Sequence, residues 1–302
     1  MAAMSEPEVL ALFDSLSNVG RWGPDDELGT LNHIRPEDRV AAAALVRTGH
    51  VLSLGRDLSN RKSSKNPIPM VHRMLFDGAH ADIISAIDQT EIAPHGWETT
   101  HLDGTGHIYY QGRMWNGRSA LDNVGFEGMA FGSVYAHRDG IVTRGVLLDI
   151  PRTRGLDYLP ATEGIHIEDF EAAEQLAGLR VRSGDAIIVR GGIAGWEAAH
   201  GETAPGLMTG TEPDCLPWIF EREVALYGGD CADRGPSGYP SLPVPIHQVG
   251  MVAMGLAILD NVEVEALSAH CAATGVYEFQ LVVAPLRAPG VTGIAVNPLA
   301  IF

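Results

Sequence analysis

The residues best suited to chemistry lie in one short segment, positions 94–107, which reads PHGWETTHLDGTGH. It contains His95, His101 and His107, and Asp103 lies among them. In an extended chain, residues i and i+2 project to the same side, so His101 and Asp103 can reach one cation. Nitrogen and oxygen donors without cysteine suit Zn²⁺ or Mn²⁺, with Fe²⁺ as a further option. The segment therefore predicts a divalent-metal site.

The rest of the segment is compatible with this prediction. His95 and His107 share the odd parity of His101, and three glycines allow the chain to fold closely around an ion. A metal held by few protein ligands keeps a position open for water and lowers the pKa of that water toward ~7. The alternative interpretation is a polar loop whose histidines form surface hydrogen bonds.

Further ligands or supporting groups must come from elsewhere in the chain. His247 and Asp260 lie at the two ends of a predicted helix over residues 246–259, where each of them could also be purely structural, Asp260 as a C-terminal or capping residue. No pattern surrounds the remaining histidines considered, and we expect them on the surface. These are His137, His166 and His200.

Several common catalytic and binding motifs are missing from the sequence. There is no GxxxxGK[ST] phosphate loop, no GxGxxG after a strand, no HExxH and no GxSxG. Nucleotide binding and serine hydrolase chemistry therefore lack sequence support. The three cysteines, Cys215, Cys231 and Cys271, are too few and too widely spaced for a disulfide framework or a CxxC zinc site.

Composition narrows the class of partner. The 302 residues include 21 Lys plus Arg and 38 Asp plus Glu, giving a formal net charge of -17. Nucleic acids and anionic membranes require basic patches, so neither is expected as a partner. No apolar run approaches the ~18–20 residues of a membrane span, and the acidic N-terminus does not resemble a signal peptide. We therefore expect a soluble, acidic, cytoplasmic protein.

The predicted elements that must position these residues alternate without a regular βαβ repeat. The pattern favours an α/β fold with a mixed sheet, in one domain over residues 1–302 with a helical segment, about 1–50, packed on it. Helices are predicted over 5–16, 36–49, 167–179, 246–259 and 263–273, and strands over 50–58, 145–150, 185–190 and 277–284. Residues 59–90 are interpreted as an irregular loop that could be mobile, and residues 200–243 as surface loops.

The motif THLDGTGH resembles the core of the HxGTHxDxPxH signature of the metal-dependent cyclase family, which includes bacterial kynurenine formamidase and isatin hydrolase. The resemblance extends over nearly the whole chain and points to the longer branch of that family. It is carried by RWGPDDELGTLNHI, GVLLDIPR, PDCLPWIFEREVALYGGD, PIHQVGMVAMGLAILDN and YEFQLVVAPLRAPGVTGIAVNPLAIF. It implies an α/β fold of the swivelling β/β/α type, a homodimer or homotetramer, and one divalent metal ion, Zn²⁺ or Mn²⁺. It also implies hydrolysis of an amide, formamide or cyclic imide bond.

The resemblance also assigns roles to individual residues. His101 and Asp103 match two metal ligands of the signature, and His107 matches its final histidine, which serves as acid and base. His247 and Asp260 fall in the segment where the family places a downstream histidine and a Glu or Gln near the metal. Within that segment, Gln248 is an alternative to His247.

Two departures from the signature affect these assignments. Its first histidine falls on Trp97, which cannot bind a metal, so we expect His95 to substitute through a different local backbone. Its glycine and proline fall on Thr99 and Thr105. A site that binds metal weakly, or not at all, is therefore a further reading of the sequence.

The leading hypothesis is a hydrolase of carbon–nitrogen bonds in which a metal activates water and His107 moves the proton. Trp97, Tyr109 and Trp115 are close in sequence and could form an apolar wall for an aromatic or cyclic substrate, or could pack in the core. One alternative keeps the metal but opens lactones, dehydrates or closes rings. Another is a ligand-binding protein without catalytic activity.

Overall fold

A nine-stranded mixed sheet lies at the centre of residues 4–76 and 84–302, the part of the chain described by this computed structural model. Its strand order is β1-β15-β13-β7-β9-β11-β12-β4-β14. Strands β7, β9, β11 and β12 are parallel, and the strands on either side of them pair antiparallel. The strands are β1 (Val51–Ser53), β2 (Val71–Phe76), β3 (Ile87–Glu91), β4 (His101–Asp103), β5 (Val124–Gly125), β6 (Gly128–Met129), β7 (Ile141–Asp149), β8 (Gly164–Ile165), β9 (Ala186–Arg190), β10 (Gly210–Thr211), β11 (Leu226–Gly229), β12 (Ala257–Asp260), β13 (Glu278–Val283), β14 (Gly293–Ala295) and β15 (Leu299–Ile301).

Apolar residues cover both faces of this sheet. Along β7, Val146 and Leu148 belong to one hydrophobic cluster and Leu147 to the other, as the alternation of side chains in a strand requires. The N-terminal helix contributes Val9 and Leu12 to the first cluster. The α-helices are α1 (Glu6–Ser15), α2 (Pro36–Ala43), α3 (Ala120–Asn123), α4 (Ile150–Thr153), α5 (Ile167–Ala177), α6 (Ile193–His200), α7 (Leu216–Glu221), α8 (Pro245–Val249) and α9 (Glu265–Thr274).

The predicted α/β class with a mixed sheet is confirmed, and so are several of its elements. The capping box at the start of α1 is present, because the Ser5 side chain accepts from the Glu8 amide and the Ser5 amide donates to the Glu8 carboxylate at 2.7 Å. The strands predicted over 145–150, 185–190 and 277–284 correspond to β7, β9 and β13. The helix predicted to reach residue 49 ends earlier, at Ala43.

The prediction of a helix over residues 246–259 is wrong for the second half of that range. Helix α8 passes into a π-helical turn, Gly250–Met254, and the chain then reverses at Gly255 to enter strand β12. Gly255 has φ +68°, and a β-carbon there would lie 2.8 Å from the Trp115 ring. A continuous apolar run fits a buried helix and a buried parallel strand equally well, so its periodicity cannot separate the two.

Two segments interpreted as loops contain regular structure. Strands β2 and β3 form an antiparallel hairpin inside the region 59–90, whose residues 77–83 lie outside the described part of the chain. The region 200–243 contains β10, α7 and β11, and β11 is a central strand of the sheet. Within the described residues, no helix combines the length and apolar character that crossing a bilayer requires.

The expectation that His137 lies on the surface is also wrong. Its side chain is buried, and neither ring nitrogen has a hydrogen-bond partner among the described residues. Burial lowers the pKa of His137 to about 4, although the charges of Asp26 and Asp103 act in the opposite direction. His200 is exposed as expected, whereas His166 is only partly exposed and bonds to Asp214 at 2.9 Å.

This burial predicts a loss of stability in acid. Below its ordinary pKa of 6.5, the unfolded chain protonates His137 while the folded chain does not until about pH 4, so stability falls as pH decreases through that window. Between pH 8 and pH 5 the loss amounts to about 2 kcal/mol. Urea unfolding with chelator present should therefore show a weaker pH dependence for His137→Leu than for wild type. The exposed control His200→Leu should keep the wild-type dependence, and an unchanged slope in His137→Leu would refute this account.

Candidate metal centre

Strand β4 carries the two central residues of the predicted site. His101 and Asp103 project to one side of it, while Leu102 between them points into the core. The pairing of β4 with β12 places Asp260 opposite His101. On its other edge β4 pairs with β14, where Gly293 lies opposite Asp103. Residues far apart in sequence therefore meet at this end of the sheet.

Gly293 is required for the position of His95. A β-carbon at residue 293 would lie 2.5 Å from Cε1 of the His95 ring, which is too close for any side chain. The ring is further fixed by a 2.9 Å hydrogen bond between its Nε2 and the Thr292 hydroxyl. These contacts turn Nδ1 of His95 toward Oδ1 of Asp103, at 3.2 Å.

Asp103 is the centre of a ring of four histidines. Its Oδ1 lies 3.5 Å from Nε2 of His101 and 4.0 Å from Nε2 of His107, and its Oδ2 lies 3.7 Å from Nε2 of His247. The carboxylate is buried, yet neither oxygen has a hydrogen-bond partner of good geometry among the described residues. A buried charge without partners is costly unless a cation binds it, so this carboxylate fits a metal ligand.

Two overlapping groups of donors suit a divalent ion, and Asp103 belongs to both. One group is His95, His101 and Asp103, and the other is Asp103, His247 and Asp260, with donor atoms within 4.8 Å of one another in each. Donors bound tetrahedrally to Zn²⁺ at about 2.0–2.1 Å would be roughly 3.3 Å apart. The 3.2 and 3.5 Å separations between the histidine nitrogens and Asp103 are close to that value. The donor set therefore fits a metal ion with little rearrangement.

Hydrogen bonds behind the histidines set their orientation. Nδ1 of His101 donates to the Thr99 carbonyl at 2.8 Å, which leaves the Nε2 lone pair free for a metal. His247 lies between two carboxylates, with Nδ1 2.5 Å from Asp233 and Nε2 3.1 Å from Asp260. Asp233 also accepts from the amide of Ile246, at 2.6 Å, and so holds the start of helix α8.

The charges of the cluster shift its pKa values in opposite directions. Burial alone would raise the pKa of Asp103, but the charges of His101 and His107 and the nearby ring nitrogens of His247 and His95 hold it well below its usual range. Burial alone would lower the pKa of His247, but Asp260 and hydrogen bonds to neighbouring carboxylates raise it well above its usual range. His247 is therefore protonated without a metal, and an ion bound at its Nε2 would displace that proton.

His107 differs from the other histidines in its surroundings. Its ring stacks parallel to that of His95 with centroids 3.8 Å apart. Burial lowers the pKa of His107 to about 4, although the Asp103 charge opposes the shift. At neutral pH the imidazole is therefore uncharged and able to accept a proton.

A cavity of about 420 Å³ opens onto this cluster. Trp97 and Met208 contribute to its mainly apolar wall, and His95, His101, His107, His247 and Asp260 line its polar end. Trp97 is 39% exposed, so its ring is accessible to a ligand.

The other two predicted wall residues lie elsewhere. Trp115 is fully buried in a separate small cluster, and its indole N–H donates to the Asp26 carbonyl at 3.0 Å. The prediction that Trp115 lines a substrate cavity is therefore wrong, and core packing explains it. Tyr109 is partly exposed but does not line the cavity. Gln248 also lies outside the lining, so His247 takes the place for which both were considered.

Several lining residues carried no sequence signal. Asp233, Asn261 and Cys231 border the cavity, but none of them belongs to a recognisable motif. The Cys231 thiol is free, and burial raises its pKa well above the usual range, which disfavours the nucleophilic thiolate. Only the position of Asn261 directly after Asp260 could have drawn attention to it.

Fold and cluster together define a mixed α/β protein with a histidine–aspartate centre at one end of its sheet. The sequence profile of the family described as "Putative cyclase" matches residues 53–234, which include the His101–Asp103 motif. The chain belongs to this cyclase family, as the resemblance indicated.

Solved structures agree with that assignment. The crystal structure of a novel cyclase shares 29% identity and a TM-score of 0.85, covering 96% of this chain and 99% of that one. Isatin hydrolase A from Labrenzia aggregata, bound to benzyl benzoate, has the same fold at 18% identity and a TM-score of 0.61, with coverage of 86% and 94%. An isatin hydrolase bound to the product analogue thioisatinate gives 15% and 0.57, with coverage of 88% and 98%. A comparison with curated proteins finds no match.

Proposed function

We propose that this protein is a metal-dependent hydrolase that cleaves the carbon–nitrogen bond of a small amide, formamide or cyclic imide. The observation that carries the proposal is Asp103, a buried carboxylate without hydrogen-bond partners among the described residues, surrounded by four histidines next to an apolar cavity. The isatin hydrolases that share the fold support the same class of reaction.

His95, His101 and Asp103 would hold one divalent ion, Zn²⁺ or Mn²⁺, with His247 and Asp260 completing or orienting the set. When bound, the ion supplies Lewis acidity, which polarises the substrate carbonyl and acidifies a water molecule. Asp103 supplies the negative charge that balances the cation. The Thr99 carbonyl keeps His101 in the tautomer that binds through Nε2.

His107 would move the proton. Its neutral imidazole accepts a proton from the attacking water as the carbon–oxygen bond forms. The resulting imidazolium then returns that proton to the leaving nitrogen as the carbon–nitrogen bond breaks. Atoms and charges balance: the products are a carboxylic acid and an amine, or, for a cyclic imide, one ring-opened molecule that carries an amide and the new carboxylic acid.

The cavity supports a small, largely apolar substrate. Its volume of about 420 Å³ is within the range of small-molecule sites, and Trp97 presents an aromatic surface beside the polar end.

The same Lewis acid and base could also open a lactone, dehydrate a substrate or close a ring. The competing interpretation is a ligand-binding protein without catalysis, which rests on Trp97 replacing the signature histidine.

The test begins with metal. Protein purified without chelator should contain at least one Zn²⁺ or Mn²⁺ per chain by elemental analysis, and chelator should remove activity that the ion restores. The substrate panel comprises N-formylkynurenine, isatin, simple imides and lactones. Turnover of lactones alone would change the reaction class. Absence of bound metal together with inactivity on the whole panel would overturn the proposal.

Trp97 offers a direct probe of the cavity. Trp97→Ala removes the aromatic wall, so it should raise KM about tenfold while kcat changes less than about threefold. The reason is that the lost contact stabilises the bound substrate and the transition state equally. Trp196→Ala is the matched control, since Trp196 stacks on His200 and lines neither the cavity nor the cluster. A large fall in kcat with unchanged KM in Trp97→Ala would contradict this role.

The protein is also proposed to be a cytoplasmic homodimer or homotetramer that binds neither nucleic acid nor membranes. Exposed apolar side chains on the β2–β3 hairpin, Met74, Phe76 and Ile87, support self-association. Light scattering after size-exclusion chromatography measures the oligomeric state directly.

A further inference from the structure

Asn261 has an unusual backbone conformation at the edge of the site. It follows Asp260 at the end of β12 and has φ +55°, in the left-handed region that side chains other than glycine seldom adopt. Asparagine tolerates this region better than most residues. Its side chain is buried, so the position is determined by its contacts rather than by solvent.

Those contacts are hydrogen bonds that hold the segment between His95 and His101 against Asn261. The amide Nδ2 of Asn261 donates to the carbonyl oxygens of Gly96, at 2.7 Å, and Thr99, at 3.1 Å. In return, the backbone oxygen of Asn261 accepts from the Thr100 hydroxyl at 2.6 Å. Three hydrogen bonds therefore join the residue that follows β12 to the five-residue connection that separates the two histidines.

Two hydrogen bonds, one from Asn261 and one from a histidine, meet at the same carbonyl oxygen. The Thr99 carbonyl accepts both from Nδ2 of Asn261 and from Nδ1 of His101. The position of that oxygen sets the rotation and tautomer of the His101 ring. The adjacent residue Asp260 belongs to the other donor group, so Asn261 connects the two halves of the cluster.

We propose that Asn261 is a positioning residue that fixes the spacing of the His95–His101 segment relative to Asp260 and thereby sets the affinity of the metal site. The inference rests on the proposed function, because it presupposes a divalent ion at the cluster. Asn261 itself offers no ligand atom to that ion and acts through the Thr99 and Gly96 carbonyls.

The decisive variant is Asn261→Gly, because glycine accepts φ +55° without strain and only the side-chain amide is lost. A matched control exists in Asn116, which has φ +60° and whose Nδ2 also donates to two carbonyls, of Gly23 at 2.8 Å and Asp26 at 3.3 Å. Asn116 does not line the cavity. The Asn116 Oδ1 also accepts from the Gly20 amide at 2.9 Å, so Asn116→Gly removes the same two donated bonds and one more, away from the metal.

Zinc affinity of the metal-free full chain is measured by calorimetric titration against a competing chelator, and the visible spectrum of bound Co²⁺ reports the coordination. Loss of a hydrogen-bond partner behind a ligand weakens metal binding about 10–100-fold. Asn261→Gly should show a rise in Kd of that size and an altered Co²⁺ spectrum. Asn116→Gly should stay within about threefold of wild type, since its partners hold no ligand.

Thr100→Val removes the hydrogen bond from the Thr100 hydroxyl to the Asn261 carbonyl. It replaces Asn261→Gly as the test variant if Asn261→Gly does not fold. It should raise the zinc Kd several-fold in a protein whose circular dichroism is unchanged. Wild-type zinc affinity in Asn261→Gly, or in folded Thr100→Val, would overturn the positioning role alone. A wild-type chain that binds neither zinc nor manganese and is inactive on the whole substrate panel would overturn the proposed function, and this inference with it.

Discussion

Asp103→Asn is expected to abolish tight binding of the divalent ion and to lower kcat/KM by about 10³-fold or more, because it removes several kcal/mol of charge stabilisation. Asp103 is the one residue common to both donor groups, and its oxygens face different histidines. Asparagine has nearly the same size but carries no charge to balance a cation. Zinc titration and turnover of the same preparation measure the two effects together.

The control for this variant is another buried aspartate outside the cluster. Asp185 is buried and paired with Arg144 at 3.1 Å, and burial raises its pKa to about 6. Asp185→Asn should therefore alter stability without altering the metal content. If Asp103→Asn retained one zinc per chain at wild-type affinity, Asp103 would not be a ligand and the proposed centre would be wrong.

The local part of the site could be predicted from the sequence because it depends on strand geometry alone. His101 and Asp103 are two residues apart, and an extended strand necessarily turns both to one side. Likewise, β7 and β9 were recognisable as short apolar runs that only a buried strand or helix explains.

The remainder of the site depends on long-range pairing, which one sequence does not encode in any local pattern. Asp260 meets His101 only because β12 pairs with β4, and His95 reaches Asp103 only because residue 293 is glycine. Asp233 and Asn261 act through hydrogen bonds to residues that are distant from them in the sequence. Their residue types are common in turns, so nothing distinguishes them before the chain folds.

Burial was the other property that the sequence did not reveal. Trp97 and Trp115 are both aromatic and close to the motif, yet one lines the cavity and the other is fully enclosed. The difference arises from elements far along the chain, since Gly255 packs directly against the Trp115 ring. His137 is also buried, although the charged residues Arg138 and Asp139 follow it directly in the sequence.

His107→Ala is expected to lower kcat about 10²–10⁴-fold while zinc content stays at the wild-type level, because it removes the proton acceptor and leaves the ligands in place. The ring lies beside the cluster, stacked on His95, and its Nε2 is 4.0 Å from Asp103, the longest of the four histidine distances. Measuring zinc content along with kcat separates a proton-transfer role from a ligand role.

Each outcome for His107→Ala has a distinct meaning. Loss of zinc together with kcat would show that His107 supports ion binding, as a ligand or through its stacking on His95, and would contradict a role in proton transfer alone. Full turnover with full zinc content would leave the reaction without the proposed base. His200→Ala, at an exposed histidine distant from the cluster in sequence, should change neither quantity. A selective fall in kcat with full zinc content would therefore assign the proton transfer to the imidazole of His107.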